Sequence, residues 1–195
     1  EKYKREQVAK NRPFDQLARE LVTASGELAK NGPANFFTLA ADPRDLGEHV
    51  SSIFLGTQIA CARCHAHPYA KWTQDDYHRF AAFFARVTQD AGVVRVSDHG
   101  EVEHPKTGKS LAPRPLGGLT SSTGAETDRR LAFAQWLAAP DNSLFAQATV
   151  NRVVILPACQ CVRQVDLSLR VAIGLVVIVA IAPSVAHRSG KAGRR

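Results

Sequence analysis

The sequence contains no methionine in its 195 residues, not even at position 1. We therefore expect an internal piece of a longer protein, and the lack of a leader at its start carries no information about location. Cysteine is scarce: four residues in two close pairs, Cys61/Cys64 and Cys159/Cys161. A disulfide scaffold of this length would need more, whereas close pairs point to a prosthetic group or a metal. Long apolar runs are missing too. The best, Val171–Ala182, has one glycine and ends before Pro183, short of the ~20 residues that cross a bilayer. With Arg170 before it and a basic end after it, membrane association is confined to a weak C-terminal anchor. No Walker loop, dinucleotide fingerprint or Ser/His/Asp arrangement occurs, so nothing argues for hydrolysis or group transfer. No catalytic residue is expected, and a redox role is the one left open.

What is present suits a folded domain: 45% hydrophobic and 22% charged residues, enough to bury a core. The net charge of +7 is unevenly placed. Residues 155–195 hold six Lys/Arg against Asp166 alone, and the first 154 residues carry 19 basic against 17 acidic side chains. A nucleic-acid binder shows its basic face on the folded part; here the basicity belongs to a tail, and no nucleic-acid partner is expected.

The periodicity predicts a mainly α chain. Phe14, Leu17, Leu21 and Val22 mark a helix over 13–30, stopped at Asn31-Gly32-Pro33. Asp42-Pro43 caps a second, with Leu46, Val50, Ile53 and Phe54 on one face, running to about Ile59. Thr73 and Asp76 form a capping-box-like start to a third, whose buried stripe is Tyr77, Phe80, Ala81, Phe84 and Val87. Residues 92–105 read as a β-hairpin turning at Ser97–Gly100, with His99 and His104 as exposed flanks. A Pro/Gly/Ser-rich linker follows to 124. Helical pattern resumes at Thr127/Asp128 and again around Leu144–Arg152. The expected organisation is thus a helical module over 1–90, hairpin and linker over 91–124, the truncated start of a second helical domain over 125–153, and an atypical tail over 154–195.

Between the second and third helices lies Cys61-Ala-Arg-Cys64-His65, the attachment pattern of c-type haem. Two thiols three positions apart can add to the two vinyl groups of one porphyrin edge, and the next histidine then reaches the iron. Haem c is the leading cofactor, with Cys61 and Cys64 as attachment points and His65 as proximal ligand. Without methionine the sixth ligand must be histidine if the iron is six-coordinate. His78 is the better-placed candidate, His49 comes next, and His67 is too near in sequence to reach the opposite haem face. Zinc held by Cys61, Cys64, His65 and His67, perhaps with His78 replacing one, is the first alternative. A structural loop without cofactor is the second. Pro68, Tyr69 and Trp72 would wall an apolar guest.

The stretch from Phe54 through Cys61-Ala-Arg-Cys64-His65-Ala-His67-Pro68, continuing with Trp72-Thr-Gln-Asp-Asp-Tyr77 and Ala81-Ala-Phe-Phe84, resembles the planctomycete cytochrome-associated family, domain of unknown function 1549. The likeness includes Arg12-Pro-Phe-Asp15, His104-Pro-Lys-Thr-Gly108 and Pro115-Leu-Gly-Gly118. Asp128-Arg-Arg-Leu-Ala132, Pro140-Asp-Asn142 and Val150-Asn-Arg152 resemble the opening of its usual partner, domain 1553. The resemblance implies a large exported protein with a separate cytochrome c domain, hence a periplasmic location and a redox partner or neighbouring cytochrome. It implies no established activity. Ala66 stands where the family usually has Asp, removing a carboxylate that could orient a neighbouring histidine. After Val153 the chain leaves the family pattern, which we read as a frameshift or mis-assembled gene end.

Overall fold

The computed structural model describes residues 2–118 and 128–159. The apolar run Val171–Ala182, the Cys161 partner of Cys159 and part of the expected linker lie outside the described residues. By packing, residues 1–146 form one compact unit and 147–195 a second. Among the described residues no helix is long and apolar enough to cross a membrane.

The first unit is helix-rich with a small antiparallel sheet, as the pattern predicts in outline. In chain order come α1 (Lys2–Ala9), α2 (Phe14–Thr23), β1 (Gly26–Glu27), a 3-10 segment over Gly32–Leu39, α3 (Pro43–Leu55), a 3-10 turn over Ala60–Arg63, α4 (Gln74–Ala81), β2 (Val87–Asp90), β3 (Val93–Val96) and α5 (Arg129–Leu137); α6 (Ser143–Cys159) leads into the second unit.

The helix starts follow their caps. The Asp42 carboxylate accepts from Arg44 N–H at the head of α3. At α4 the Thr73 hydroxyl takes the Asp76 N–H while Asp76 takes the Thr73 N–H, a reciprocal capping box. Asp128 caps α5 in the same way as Asp42.

The helix ends differ from the expectation. The first predicted helix stops at Thr23, because Ala24 turns extended and Gly26, at φ 103°, enters β1 against Val94. The second ends at Gly56, left-handed at φ 61°, whose N–H returns to the Ser51 carbonyl; glycine adopts that conformation without steric cost. The third ends at Ala81, because Val87 is drawn into β2 opposite Val96.

The predicted hairpin is displaced by one strand. Val93–Val96 is a strand, but its partners are β2 and β1, giving the order β1-β3-β2. The chain turns at Ala91 and Gly92, both with positive φ, 47° and 75°, the signs of a type I′ turn. An alanine at the first turn position hides that signal from the sequence. Residues 101–104 do not return along β3; Val102 is buried and Glu103 bridges to Ser110.

The core is aromatic. Phe133 of α5 sits among Phe80, Phe83 and Phe84, at ring separations of 5.5, 5.3 and 5.4 Å. Phe37, Leu46, Val50, Phe54, Ile59 and Leu137 complete the buried cluster. α5 therefore shares this core with α2, α3 and α4. Arg130, only 1% exposed, is held inside by Asp128, the Ala24 carbonyl and the Phe37 ring.

Candidate functional site

The Cys-x-x-Cys-His segment forms the 3-10 turn between α3 and α4. Cys61 lies within this turn and Cys64 closes it as its C-cap. Both are free thiols and exposed. Ala62 faces inward, fully buried. The turn opens on a short bond, Ala62 N–H to the Ile59 carbonyl at 2.8 Å, and closes on two long ones, Cys64 N–H and His65 N–H both donating to the Cys61 carbonyl at 3.4 Å.

What fixes the turn comes from the flanking helices. The Arg63 guanidinium donates to Asp45 of α3 at 2.7 Å and lies 3.8 Å from Glu48. Gln74 of α4 donates its Nε2–H to the Arg63 carbonyl at 2.9 Å. The Tyr77 hydroxyl donates to Glu48 at 2.6 Å. Burial, with the Glu48 carboxylate beside it, drives the Tyr77 pKa far above the ordinary phenol value, and the Asp45 bond raises that of Arg63. This polar network was not anticipated. Tyr77 reads from periodicity as part of an apolar stripe, and the sequence pattern assigns no role to Asp45 or Glu48. Their i, i+3 spacing on one face of α3 is the only trace in the sequence.

The predicted ligands separate into two groups. His65 is exposed beside the thiols, with Nδ1 2.8 Å from the Ala66 carbonyl. A proton on Nδ1 shared with that carbonyl leaves Nε2 as the open, metal-competent nitrogen. His67 serves its own loop: its N–H donates to the Trp72 carbonyl and its Nδ1 accepts from Tyr69 N–H. His49 is exposed on α3. His78 is buried on α4, with the Arg63 carbonyl of the turn acting on its ring. It is 2% exposed, edge-on to Tyr77 and 5.8 Å from the His104 ring, and neither ring nitrogen has a hydrogen-bond partner among the described residues. Burial lowers its pKa; the Arg63 carbonyl opposes the shift, and the charges of Arg44, His104 and Arg63 add to it. His104 is half-buried against it instead of flanking a turn in solvent, while His99 is exposed as expected.

The donors present are two accessible thiols and an adjacent imidazole with its Nδ1 tied back. Among the described residues no three of His, Cys, Asp and Glu are gathered as a metal-holding group. The aromatic wall is divided. Tyr69 is 95% exposed, whereas Trp72 is buried with the Lys71 ammonium 5.2 Å from its ring centre. A cleft of about 590 Å³ between Trp72, Leu116 and Trp136 is not lined by the cysteines or His65.

No curated protein and no solved structure matches the chain. Residues 1–89 match a family model, PSCyt2, described as a protein of unknown function (DUF1549). The match supports that family for this part of the chain, which includes α1 to α4 and the whole of the thiol turn.

Proposed function

We propose that the chain is the haem-binding part of a larger exported bacterial protein, with electron transfer as its role. In this reading the Cys61 and Cys64 thiols each add S–H across a vinyl double bond of the porphyrin, sulfur and hydrogen both being retained in the product. His65 Nε2 would be the nitrogen that holds its iron. Bound haem supplies one-electron chemistry. The chain's own part is to present both sulfurs together and to hold the His65 tautomer through Ala66. The periplasm, where covalent haem attachment takes place in bacteria, is the proposed location. A neighbouring cytochrome c domain or a separate redox protein is the proposed partner, and residues 128–152 are proposed as the opening of domain 1553.

The observation that supports this reading is the pair of free, exposed thiols in one short turn with His65 directly after them. The test is the full chain exported in a host with c-type haem maturation, assayed by absorption and pyridine haemochrome spectra. A c-type spectrum that disappears in Cys61→Ala/Cys64→Ala supports it. A folded, colourless product would overturn it and leave a binding or scaffold module, which metal analysis would then divide into zinc-holding and cofactor-free.

A further inference from the structure

We propose that Arg63, the residue between Ala62 and Cys64, is the positioning residue of the thiol turn. It keeps Cys61 and Cys64 on one face at a separation where both engage a single bridging group. The proposal rests on the reading of the pair as a two-point attachment site.

A four-residue 3-10 turn has little rigidity of its own; its first bond, Ala62 N–H to the Ile59 carbonyl, is 2.8 Å, but the two that close it over Cys64 and His65 are 3.4 Å. Beyond it, residues 64–66 and 68–71 are exposed and offer no packing to hold the second cysteine. The buried Ala62 methyl and that first bond fix its start, and Arg63 fixes its end. Its side chain reaches Asp45 at 2.7 Å and Glu48 at 3.8 Å, and its carbonyl accepts from Gln74 at 2.9 Å. One residue thus ties the turn to α3 through its side chain and to α4 through its backbone.

The arrangement is braced one step further back. Asp45 and Glu48 lie on the same face of α3, and Tyr77 of α4 fixes Glu48 at 2.6 Å. The planar guanidinium can address two carboxylates together, which an ammonium does less well. Because each thiol is exposed whether or not the turn is ordered, Arg63 has little influence on reactions of one sulfur. Its effect falls on ligands that need both sulfurs at once, where pre-organisation removes the entropy of closing the second bond.

The test separates one-sulfur from two-sulfur chemistry. The full chain carrying Cys159→Ser and Cys161→Ser, so that only one pair remains, is titrated with phenylarsine oxide. The two S–H groups and the arsenic-bound oxygen yield two As–S bonds and one water, with no change of oxidation state. Arg63→Gln is expected to weaken arsenical binding about tenfold, the scale of a partly exposed charged hydrogen bond, and Arg63→Lys to retain all but about threefold of it. Alkylation of the individual thiols by iodoacetamide is expected to proceed at unchanged rates in both variants. Asp45→Asn/Glu48→Gln, which leaves Arg63 in place without its partners, should reproduce the loss and decides the matter if Arg63→Gln does not fold.

Folded Arg63→Gln, or the Asp45/Glu48 variant, binding the arsenical as tightly as the parent would overturn the proposal. So would an equal loss in single-thiol alkylation. If the parent takes up no haem while the arsenical ranking holds, the haem reading falls and the positioning role stands. Normal haem uptake with a flat arsenical ranking gives the reverse.

Discussion

Phe133→Ala is the substitution that most directly probes whether α5 closes the core over the thiol-bearing helices. Phe133 is fully buried and its ring meets Phe80, Phe83, Phe84 and Trp136 at centroid distances of 5.5, 5.3, 5.4 and 5.8 Å. Removing a buried phenyl ring costs about 3–5 kcal/mol, from lost transfer energy plus the cavity left behind. Three of the four neighbours are buried aromatics of the stretch from α4 to the start of β2, so collapse into the gap is restricted and the upper half of that range is expected. At about 2–4 °C per kcal/mol for a chain of this size, the thermal midpoint should fall by roughly 8–20 °C. Circular dichroism at 222 nm with temperature, on the full chain, reads it. A fall below roughly 2 °C would refute the reasoning, because a solvent-facing or independently folded α5 would then be the only consistent arrangement.

Three further outcomes follow from the site. Tyr77→Phe removes the hydroxyl that donates to Glu48 and should cost about 1–2 kcal/mol by urea unfolding, a charged hydrogen bond discounted for the partial exposure of Glu48; an unchanged midpoint would mean that the network is ornamental. His78 has its pKa depressed from 6.5 by burial, so the folded state favours the neutral ring. Its stabilisation is complete above pH 6.5 and is lost as pH falls from there toward the lower folded value. His78→Phe should flatten the stability profile in that window. The acid limb below about pH 4, where Asp76 and Glu101 take protons against their arginine and backbone partners, should stay in place; a slope that persists immediately below pH 6.5 in His78→Phe would contradict the assignment. Finally, both Cys61 and Cys64 should alkylate in the native chain without denaturant, as peptide mapping can show, whereas protection of either would contradict an exposed pair.

How much of this was legible depends on whether a signal was local. The capping box at Thr73/Asp76 and the Asp42-Pro43 start need only residues within one turn, and both stand where the sequence puts them. The position of the Cys-x-x-Cys-His segment between two amphipathic helices was equally readable. The helix ends were not, because partners distant in sequence decide them: Gly26 leaves α2 to pair with Val94, and Val87 leaves the α4 stripe to pair with Val96. The same holds for the polar network under the thiols. Nothing near Tyr77 in sequence announces that its hydroxyl meets Glu48, 29 residues earlier. His78, chosen for its chemistry, has a neighbourhood that its sequence position does not announce, with Tyr77 and His104 against its ring.

The central claim, that Cys61 and Cys64 are the attachment points of a haem c with His65 beside them, is tested most directly by intact mass and peptide mapping of the full chain purified from a host with c-type haem maturation. The account predicts one haem added to the intact mass, resistant to acid extraction and carried by the peptide that contains Cys61 and Cys64. An unmodified mass with both thiols still free to alkylate, in protein that is folded, would contradict it.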